Sequence, residues 1–351
     1  MNVDWQAARR ALARRLLRPS AVPAADAAIA ARWITSVLVA RPNHRLGNVL
    51  LLTPLLQELE RLLPQARVDV LAGPPFAACL LEGYPMVRRV DTLSARPLHQ
   101  PGALWRLWRE LPRRGYALAL DAAERSQSAR WVVTRSAARW RVGMDDAPDA
   151  PGLTHAIAFA DCSLHQAQMP VRMLRAALGH DPAAAPPPPP LALRLRDAER
   201  AQGRARLQRL LGEAVPGAPR IGLFAEATGA KRFAHAFWQA LAAALRAHVA
   251  QARLAEIVPA HGRPLLPELP GIHTAPLRDA AALCAGFDLV IAADSGLMHL
   301  AAASGVPLLG LFQATDPARY APYGARQCGL QARSLSAAEI AGAALALIDP
   351  A

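Results

Sequence analysis

The chain has 351 residues, with 40 basic and 27 acidic side chains, a formal net charge of +13 and a pI near 11.0. Hydrophobic residues make up 53% and charged residues 19%, which allows a sizeable core and excludes wholesale disorder. This length fits two domains of about 150–180 residues better than one.

The excess of positive charge favours a polyanionic partner: nucleic acid, an anionic membrane surface, or a phosphorylated or acidic sugar. Nucleic acid is the least favoured, because aromatic residues are only 5% and no helix-turn-helix or RNA-binding signature is present. We therefore expect no nucleic-acid partner.

The four cysteines, Cys79, Cys162, Cys284 and Cys328, form no CxxC pair, which disfavours a disulfide framework and a zinc site. No metal or other cofactor is expected. The chain has no uncharged apolar run long enough to cross a membrane, and arginines interrupt any signal-peptide core at the N-terminus. These features predict a cytoplasmic protein.

Residues 1–19 predict a basic amphipathic helix, with Trp5, Ala8, Leu12 and Leu16 at helical spacing and five arginines around the other side. One interpretation is adsorption to an anionic membrane surface, which would make the protein peripheral on the inner membrane. The other is a solvated helix packed on the body of the protein. Composition alone leaves both open.

From residue 34 the pattern alternates between strands and helices, which indicates a parallel sheet covered on both faces. The predicted elements are strands Ser36–Ala40, Val68–Ala72, Val87–Thr92 and Ala117–Asp121, and helices Gly47–Leu63 and Leu104–Leu111. They predict a first Rossmann-like domain over residues 34–180, preceded by a lead-in at residues 1–33.

Residues 181–190 include five consecutive prolines, which favour a stiff polyproline segment. We predict a linker over residues 181–198 and a second domain over residues 199–351. Its predicted elements are strands Arg220–Ala225, Leu254–Pro259, Ile272–Ala275, Asp288–Ala292 and Leu308–Phe312, and helices Ala234–Arg246, Leu297–Ser304 and 336–348, the last with Ser336 as N-cap. In such a pair of Rossmann-like halves the ligand normally binds at the carboxyl ends of the strands.

The sharpest local signal is the segment Asp294-Ser295-Gly296-Leu297-Met298-His299, where a buried strand stops and a helix begins. The N-terminus of a helix binds anions through its free N–H groups and its dipole. Gly296 allows close approach of a phosphate and His299 could donate to it. Asp294 is expected to cap the helix or to accept hydrogen bonds from sugar hydroxyls. The alternative is that Asp294 is only a cap and His299 only a core histidine.

Two further loops that follow predicted strands also carry residues suited to binding an anion. Lys231, the one lysine among the basic residues, follows the first strand of the second half, and its compact charge suits a phosphate. In the first half, Arg45-Leu46-Gly47-Asn48 follows the opening strand and starts a helix. Dinucleotide-binding, P-loop, HExxH and GxSxG motifs are absent, which argues against the corresponding enzyme classes.

Together these segments resemble family 9 glycosyltransferases, the ADP-heptose:lipopolysaccharide heptosyltransferases and their relatives. The resemblance rests on RPNHRLGNVLLLTPLLQELERLLPQARVDVLAG, similar to their opening strand–loop–helix–strand, and LVIAADSGLMHLAAASGVPLLGLFQATDPARYAPYG, similar to their donor signature. It covers roughly residues 34–350. It implies an α/β GT-B fold, with two Rossmann-like domains whose parallel sheets face each other across a cleft.

The resemblance also implies roles for individual residues. The donor pyrophosphate would lie against Lys231, Ser295, Gly296 and His299, with Thr228 beside it, and Asp294 would bind hydroxyls of the transferred sugar. Arg45 and Gly47 would contact the acceptor, a phosphorylated or Kdo-bearing lipid core. The function implied is metal-independent, inverting transfer of a heptose-like sugar from an ADP-sugar to a lipopolysaccharide core or related glycan.

The chain departs from the family pattern at Asn48, where the family has its catalytic Asp base. A carboxamide cannot take a proton near neutral pH. Either Asp121, His44 or Glu226 serves as the base, or the enzyme is slow, or the chain binds sugar nucleotides or glycans without transferring them. A structural interpretation is that Asn48 caps its helix as well as Asp would. The second departure is Phe-Ala-Glu at 224–226, which places a carboxylate near the expected phosphates. Gln313 likewise stands where the family usually has glycine.

Overall fold

The computed structural model describes residues 28–94, 101–145, 152–159, 165–260, 262–274 and 276–348. The predicted helix at residues 1–19 and Cys162 lie outside the described residues. The chain divides into two compact units between Pro189 and Pro190. This division falls inside the proline-rich segment 181–198.

The first unit contains a six-stranded sheet in which all strands are parallel, in the order β3-β2-β1-β4-β5-β6. Its strands are β1 (Ser36–Arg41), β2 (Arg67–Ala72), β3 (Val87–Thr92), β4 (Leu118–Asp121), β5 (Trp140–Met144) and β6 (His155–Ile157). Its helices are α1 (Leu46–Leu50), α2 (Thr53–Leu62), α3 (Ala77–Leu81), α4 (Pro101–Glu110), α5 (Gln127–Arg135) and α6 (Met169–Ala177).

The second unit has a parallel six-stranded sheet in the order β9-β8-β7-β10-β11-β12. This is the strand order of the first unit, with β7 in the place of β1. Its strands are β7 (Arg220–Phe224), β8 (Arg253–Pro259), β9 (Gly271–Thr274), β10 (Leu289–Ala293), β11 (Leu308–Phe312) and β12 (Gln327–Gln331). Its helices are α7 (Asp197–Leu211), α8 (His235–His248), α9 (Leu277–Cys284), α10 (Gly296–Ser304), α11 (Pro317–Tyr320) and α12 (Ala337–Leu345).

The central strands β1, β7, β10 and β11 are almost wholly buried. This is the expected consequence of runs of Val, Leu, Ile and Ala in a parallel sheet that is covered on both faces. The predicted α/β class with two Rossmann-like halves is confirmed, and the strand order of each sheet is the one found in dinucleotide-binding folds.

The prediction of a single helix over Gly47–Leu63 is wrong, because this segment forms two helices, α1 and α2. Pro54 has no N–H to donate to the carbonyl of Leu50, so the helical ladder cannot continue through it. The hydroxyl of Thr53 instead donates to that carbonyl at 2.7 Å. The other predicted helices and strands recur with ends shifted by a few residues. Ser336 is confirmed as the N-cap of α12, in a capping box with Glu339.

Each unit holds its end of the proline-rich segment through an arginine that also pairs with a glutamate. In the first unit, Arg175 donates to the carbonyl of Pro186 and to the buried carboxylate of Glu58, with Nε 2.7 Å from Oε1. In the second unit, Arg278 donates to the carbonyl of Leu193 at 3.4 Å and to Glu199 at 2.7 Å. These bonds fix the path of the chain on both sides of the division.

Candidate functional site

The second unit brings three loops together at the carboxyl edge of its sheet. Strand β10 pairs with β7 on one side and β11 on the other, so the loops that follow these strands are neighbours. All strands are parallel, and each loop therefore emerges at the same edge. The loops carry Lys231 after β7, Asp294 after β10 and Thr315 after β11.

Asp294 lies at the centre of this group, with its side chain 5% exposed. Its Oδ2 accepts a hydrogen bond from the hydroxyl of Thr315 and lies 2.7 Å from Nζ of Lys231. Lys231 is also 6.0 Å from the ring centroid of Tyr320. The ammonium is therefore fixed at the carboxyl edge of the sheet rather than extended into solvent.

The helix that starts beside this ion pair is α10, and its cap is Ser295 rather than Asp294. Ser295 has extended backbone, and its Oγ accepts a hydrogen bond from the N–H of Met298 at 3.2 Å. The prediction that Asp294 caps the helix is thus wrong: the carboxylate is occupied by Lys231 and Thr315. Gly296 is the first helical residue and His299 the fourth, with His299 buried.

Gln313 holds the loop that carries Lys231. Its side-chain amide donates to the carbonyl of Ala230 at 2.9 Å and to that of Arg232. A glycine at position 313 could not make these bonds. The loop after β11 therefore donates hydrogen bonds to both neighbouring loops, from Gln313 to the Lys231 loop and from Thr315 to Asp294.

Glu226, expected near the phosphates, pairs with Arg232, with Nη2 3.0 Å from Oε1. This ion pair offsets the negative charge that made Glu226 an unfavourable phosphate neighbour. Thr228 is exposed and immediately precedes the short 3-10 turn Gly229–Lys231, and its carbonyl accepts from the N–H of Lys231 at 3.4 Å. Thr228 and Lys231 thus belong to one turn.

The first unit has a corresponding loop between β1 and α1. Arg45 is the exposed N-cap of α1 and makes no side-chain cap bond, and Gly47 is the buried second residue of the helix. Asn48 is the third helical residue, so the interpretation of Asn48 as a cap is wrong. Its Oδ1 accepts a hydrogen bond from Nη2 of Arg41 at 3.3 Å.

Arg41, which the sequence analysis did not single out, ties this helix to the rest of the carboxyl edge. It is the last residue of β1 and is 3% exposed. Its Nη1 donates to the carbonyl of Ala122 at 3.0 Å and to that of Gln166 at 3.3 Å. A lone charge at the end of an otherwise apolar strand was the available signal in the sequence.

Asp121 ends β4, the strand next to β1, and is buried. Its Oδ2 lies 3.1 Å from Nε of Arg130, which also pairs with Asp145 at 2.9 Å. Burial raises the pKa of Asp121 to about 6, and the neighbouring Arg130 offsets this only in part. Its pKa suits a base, but its carboxylate is covered and already bonded.

His44 is exposed in the loop before α1, where it is accessible to a ligand. The same loop is packed closely against the residue that follows β2, Gly73. A Cβ at Gly73 would lie 2.5 Å from the carbonyl oxygen of Asn43, so any side chain there would displace the loop. Gly73 thus sets the position of the loop that leads to Asn48.

Within the described ranges, no group of three or more His, Cys, Asp or Glu side chains is placed to hold a metal ion. Over the same part of the chain, no helix combines the length and the apolar composition needed to cross a membrane.

Residues 104–341 match the family model described as glycosyltransferase family 9 (heptosyltransferase). The chain belongs to glycosyltransferase family 9. The match spans both units and includes Lys231, Asp294 and Ser295, whereas Arg45, Gly47 and Asn48 precede it. No curated protein matches the chain.

Solved structures of this family share the fold. A family 9 glycosyl transferase from Veillonella parvula superposes with a TM-score of 0.74 at 18% identity, covering 90% of this chain and 98% of the other. ADP-heptose lipopolysaccharide heptosyltransferase II of E. coli gives 0.69 at 18% identity, covering 90% and 99%. E. coli heptosyltransferase WaaC with ADP gives 0.64 at 19% identity, covering 90% and 99%.

The structure thus groups the predicted donor residues of the family 9 fold around one edge of the second sheet and the predicted acceptor residues around the equivalent edge of the first. Sequence reasoning missed three residues that hold them in place: Arg41 and Arg130 in the first unit, and Thr315 in the second. Gln313 was noted only as a departure from the family pattern, without its contacts to the Lys231 loop.

Proposed function

We propose that this family 9 protein is an inverting, metal-independent glycosyltransferase that uses an ADP-sugar donor. It transfers a heptose-like sugar to a lipopolysaccharide core or a related glycan. The observation that carries the proposal is the placement of Lys231, Asp294 and Thr315 beside the N-terminus of α10. A fixed cation next to the N-terminus of a nine-residue helix suits a diphosphate.

In this proposal the second unit binds the sugar-nucleotide donor. The pyrophosphate is held by the ammonium of Lys231 and by the first N–H groups of α10, which have no acceptor within the helix. The hydroxyl of Ser295 still has its own proton to donate, since its oxygen only accepts from Met298. Gly296 and Thr228 border the phosphates, and His299 lies one turn into the helix.

The chemistry follows from this placement. An acceptor hydroxyl attacks the anomeric carbon from the face opposite the ADP, the bond from that carbon to the β-phosphate oxygen breaks, and ADP leaves with the electron pair. Lys231 and the helix N-terminus stabilise the charge that develops on the departing phosphate. Inversion results from attack on the opposite face. Arg45 and Gly47, in the first unit, bind the acceptor.

The hydroxyl proton must go to a base, and Asn48 is not one. Of the alternatives, Asp121 is covered and bonded to Arg130, Glu226 is paired with Arg232, and His44 is exposed beside α1. The second candidate function follows from Asn48: a family member that binds the nucleotide-sugar or glycan without transfer. Its support is the bond from buried Arg41 to the side-chain amide oxygen Oδ1 of Asn48, which makes Asn48 a structural acceptor.

The test is incubation of the full chain with ADP-heptose and a lipopolysaccharide core that lacks terminal heptose. The proposal expects release of ADP that depends on the acceptor, together with a mass gain of one heptose on that acceptor. Lys231→Gln should lose this activity, whereas Arg246→Gln, which changes an exposed arginine in the last turn of α8, should keep most of it. Binding of ADP-heptose with no transfer to the core would favour the second candidate.

We also propose a cytoplasmic location with peripheral attachment to the inner membrane, because a lipid-linked acceptor would be presented there. The net charge of +13 supports attraction to an anionic surface. Fractionation of cells that express the chain, with and without a high-salt wash, tests this. Release from the membrane fraction by salt is the expected result.

A further inference from the structure

Helix α4 presents two tryptophans to solvent in the first unit. Trp105 is 55% exposed and Trp108 is 45% exposed. They are three residues apart and therefore lie on one side of the helix. Large aromatic side chains are costly to leave in water, and two on one helix face mark an interaction surface.

Only a small part of the surface of α4 is buried against the first unit. Leu107 is its one buried residue, and it joins a core cluster that also contains Leu111 just beyond the helix; Leu104 packs against the same cluster in part. The leucines occupy the inward stripe, and the tryptophans lie beside it. The other residues of the helix are exposed, except Leu104, which is half-buried.

Arginines surround the two indole rings. The guanidinium carbon of Arg109 lies 5.3 Å from the ring centroid of Trp105, and that of Arg135 lies 4.0 Å from the ring centroid of Trp108. Arg135 also donates to the carbonyl of Trp108 at 2.9 Å. These contacts hold the rings in place before any partner binds, which lowers the entropy that binding costs.

The charge on this surface is positive. Arg106, Arg109 and Arg113 are exposed, and within the described part of the chain no carboxylate lies in ion-pair distance of them. The one acidic residue of the helix, Glu110, is paired with Arg114 at 3.1 Å. The helix and the turn after it therefore carry three exposed cations that have no ion-pair partner among the described residues.

We propose that the outward face of α4, formed by Trp105, Trp108, Arg106 and Arg109, is a docking surface for an anionic lipid membrane. Indole rings partition to the boundary between lipid headgroups and acyl chains, and arginines beside them pair with anionic headgroups. The inference does not depend on the proposed transferase activity. A protein partner is less suited, because the flanking charge has one sign and the helix offers no groove.

The experiment is co-sedimentation of the full chain with vesicles of phosphatidylcholine alone or of phosphatidylcholine and phosphatidylglycerol in equal parts. The wild type should bind the anionic vesicles and not the neutral ones. Trp105→Ala/Trp108→Ala should reduce the partition coefficient by about tenfold or more. Its matched control is Leu210→Ala/Val215→Ala, which removes two exposed apolar side chains from the second unit.

Charge is tested in the same way. Arg106→Gln/Arg109→Gln should weaken binding to the anionic vesicles severalfold and reduce its salt dependence. Arg204→Gln/Arg209→Gln, two exposed arginines of α7, removes the same charge elsewhere and should have little effect. Because all these side chains are exposed, far-UV circular dichroism and melting temperature should match the wild type.

Undiminished vesicle binding by Trp105→Ala/Trp108→Ala would overturn the proposal and assign membrane binding to another segment. Equal binding to neutral vesicles would overturn the role of the arginines. Binding of RNA without binding of anionic vesicles would show that the surface serves a different polyanion. A loss confined to the α4 variants would support the proposal, whether or not transferase activity is detected.

Discussion

The ammonium of Lys231 lies 2.7 Å from the carboxylate of Asp294, joining the loops that follow β7 and β10. The hydroxyl of Thr315 bonds to the same carboxylate oxygen from the loop after β11. Three loops of the second sheet are thereby locked together beside the N-terminus of α10. A diphosphate would meet a cation whose position is already set, so little side-chain entropy is lost on binding.

Removal of this cation should weaken nucleotide binding. For Lys231→Gln we expect the affinity for ADP to fall by about tenfold to a hundredfold, the range of a hydrogen bond to a charged group. Isothermal titration calorimetry measures it. Arg246→Gln is the matched control, since it removes one positive charge from an exposed side chain in the last turn of α8. Equal ADP affinity in Lys231→Gln and wild type would contradict the donor site.

Substitution of Asp294 should affect binding of the sugar more than binding of the nucleotide. If its carboxylate accepts hydroxyls of the transferred sugar, Asp294→Asn lowers the affinity for ADP-heptose more than that for ADP, by about fivefold or more. Competition titrations with both ligands measure this difference. Asp316→Asn, which changes the cap of α11 in the same group of loops, is the control. Equal losses for both ligands would show that Asp294 acts only by positioning Lys231.

A carboxylate at position 48 should supply the missing base. For Asn48→Asp we expect the transfer rate to rise by about tenfold or more, since a positioned base contributes at least this much. Arg41, whose Nη2 is 3.3 Å from the Asn48 oxygen, should hold the pKa of the new carboxyl below its usual range. The gain should therefore persist from neutral to mildly acidic pH.

The control for this variant is Asn43→Asp, in the exposed part of the same loop. Initial rates of ADP release, measured across pH with a saturating acceptor, give the comparison. A lower rate in Asn48→Asp than in wild type would show that the amide is used as it stands.

Asp121 should make the protein less stable as pH rises through the mildly acidic range. Its pKa is about 6 when folded and near 3.8 when unfolded, so between these values the folded state keeps a proton that the unfolded state has lost. The free energy of unfolding therefore falls by about 3 kcal/mol over this range and is level above it. Asp121→Asn should abolish this component.

Melting temperatures of wild type and Asp121→Asn, compared from about pH 4 to pH 7, test the sign. The melting temperature of the variant, relative to that of the wild type, should rise with pH. Asp197→Asn, which changes an exposed carboxylate in the first turn of α7, is the control and should show no such trend. A shift in favour of the wild type would mean that the pair with Arg130 outweighs the cost of burial.

The sheets could be predicted from sequence because their central strands are short apolar runs with turn residues on either side. Strands such as Ser36–Arg41 and Leu308–Phe312 are buried on both faces, so their composition alone marks them. The strands β5, β6 and β12 were not predicted. They are partly exposed and mixed in composition, and tertiary pairing decides their structure.

The candidate site was predictable where the chemistry is local and not where it depends on long-range contacts. The helix start at Ser295 and the unusual Lys231 are visible in the sequence. The bond from Gln313 to the Lys231 loop joins residues 81 and 83 positions apart, and that from Arg41 to Gln166 spans 125 positions. No spacing rule connects such residues, because only the folded sheet brings their loops to one edge.

The most direct test of the account is calorimetric titration of the purified full chain with ADP, with UDP and GDP measured under the same conditions. We expect ADP to bind at a single site, more tightly than UDP or GDP, and Lys231→Gln to lose most of that affinity. Failure of all three nucleotides to bind would contradict the assignment of Lys231 and the α10 N-terminus as a donor site.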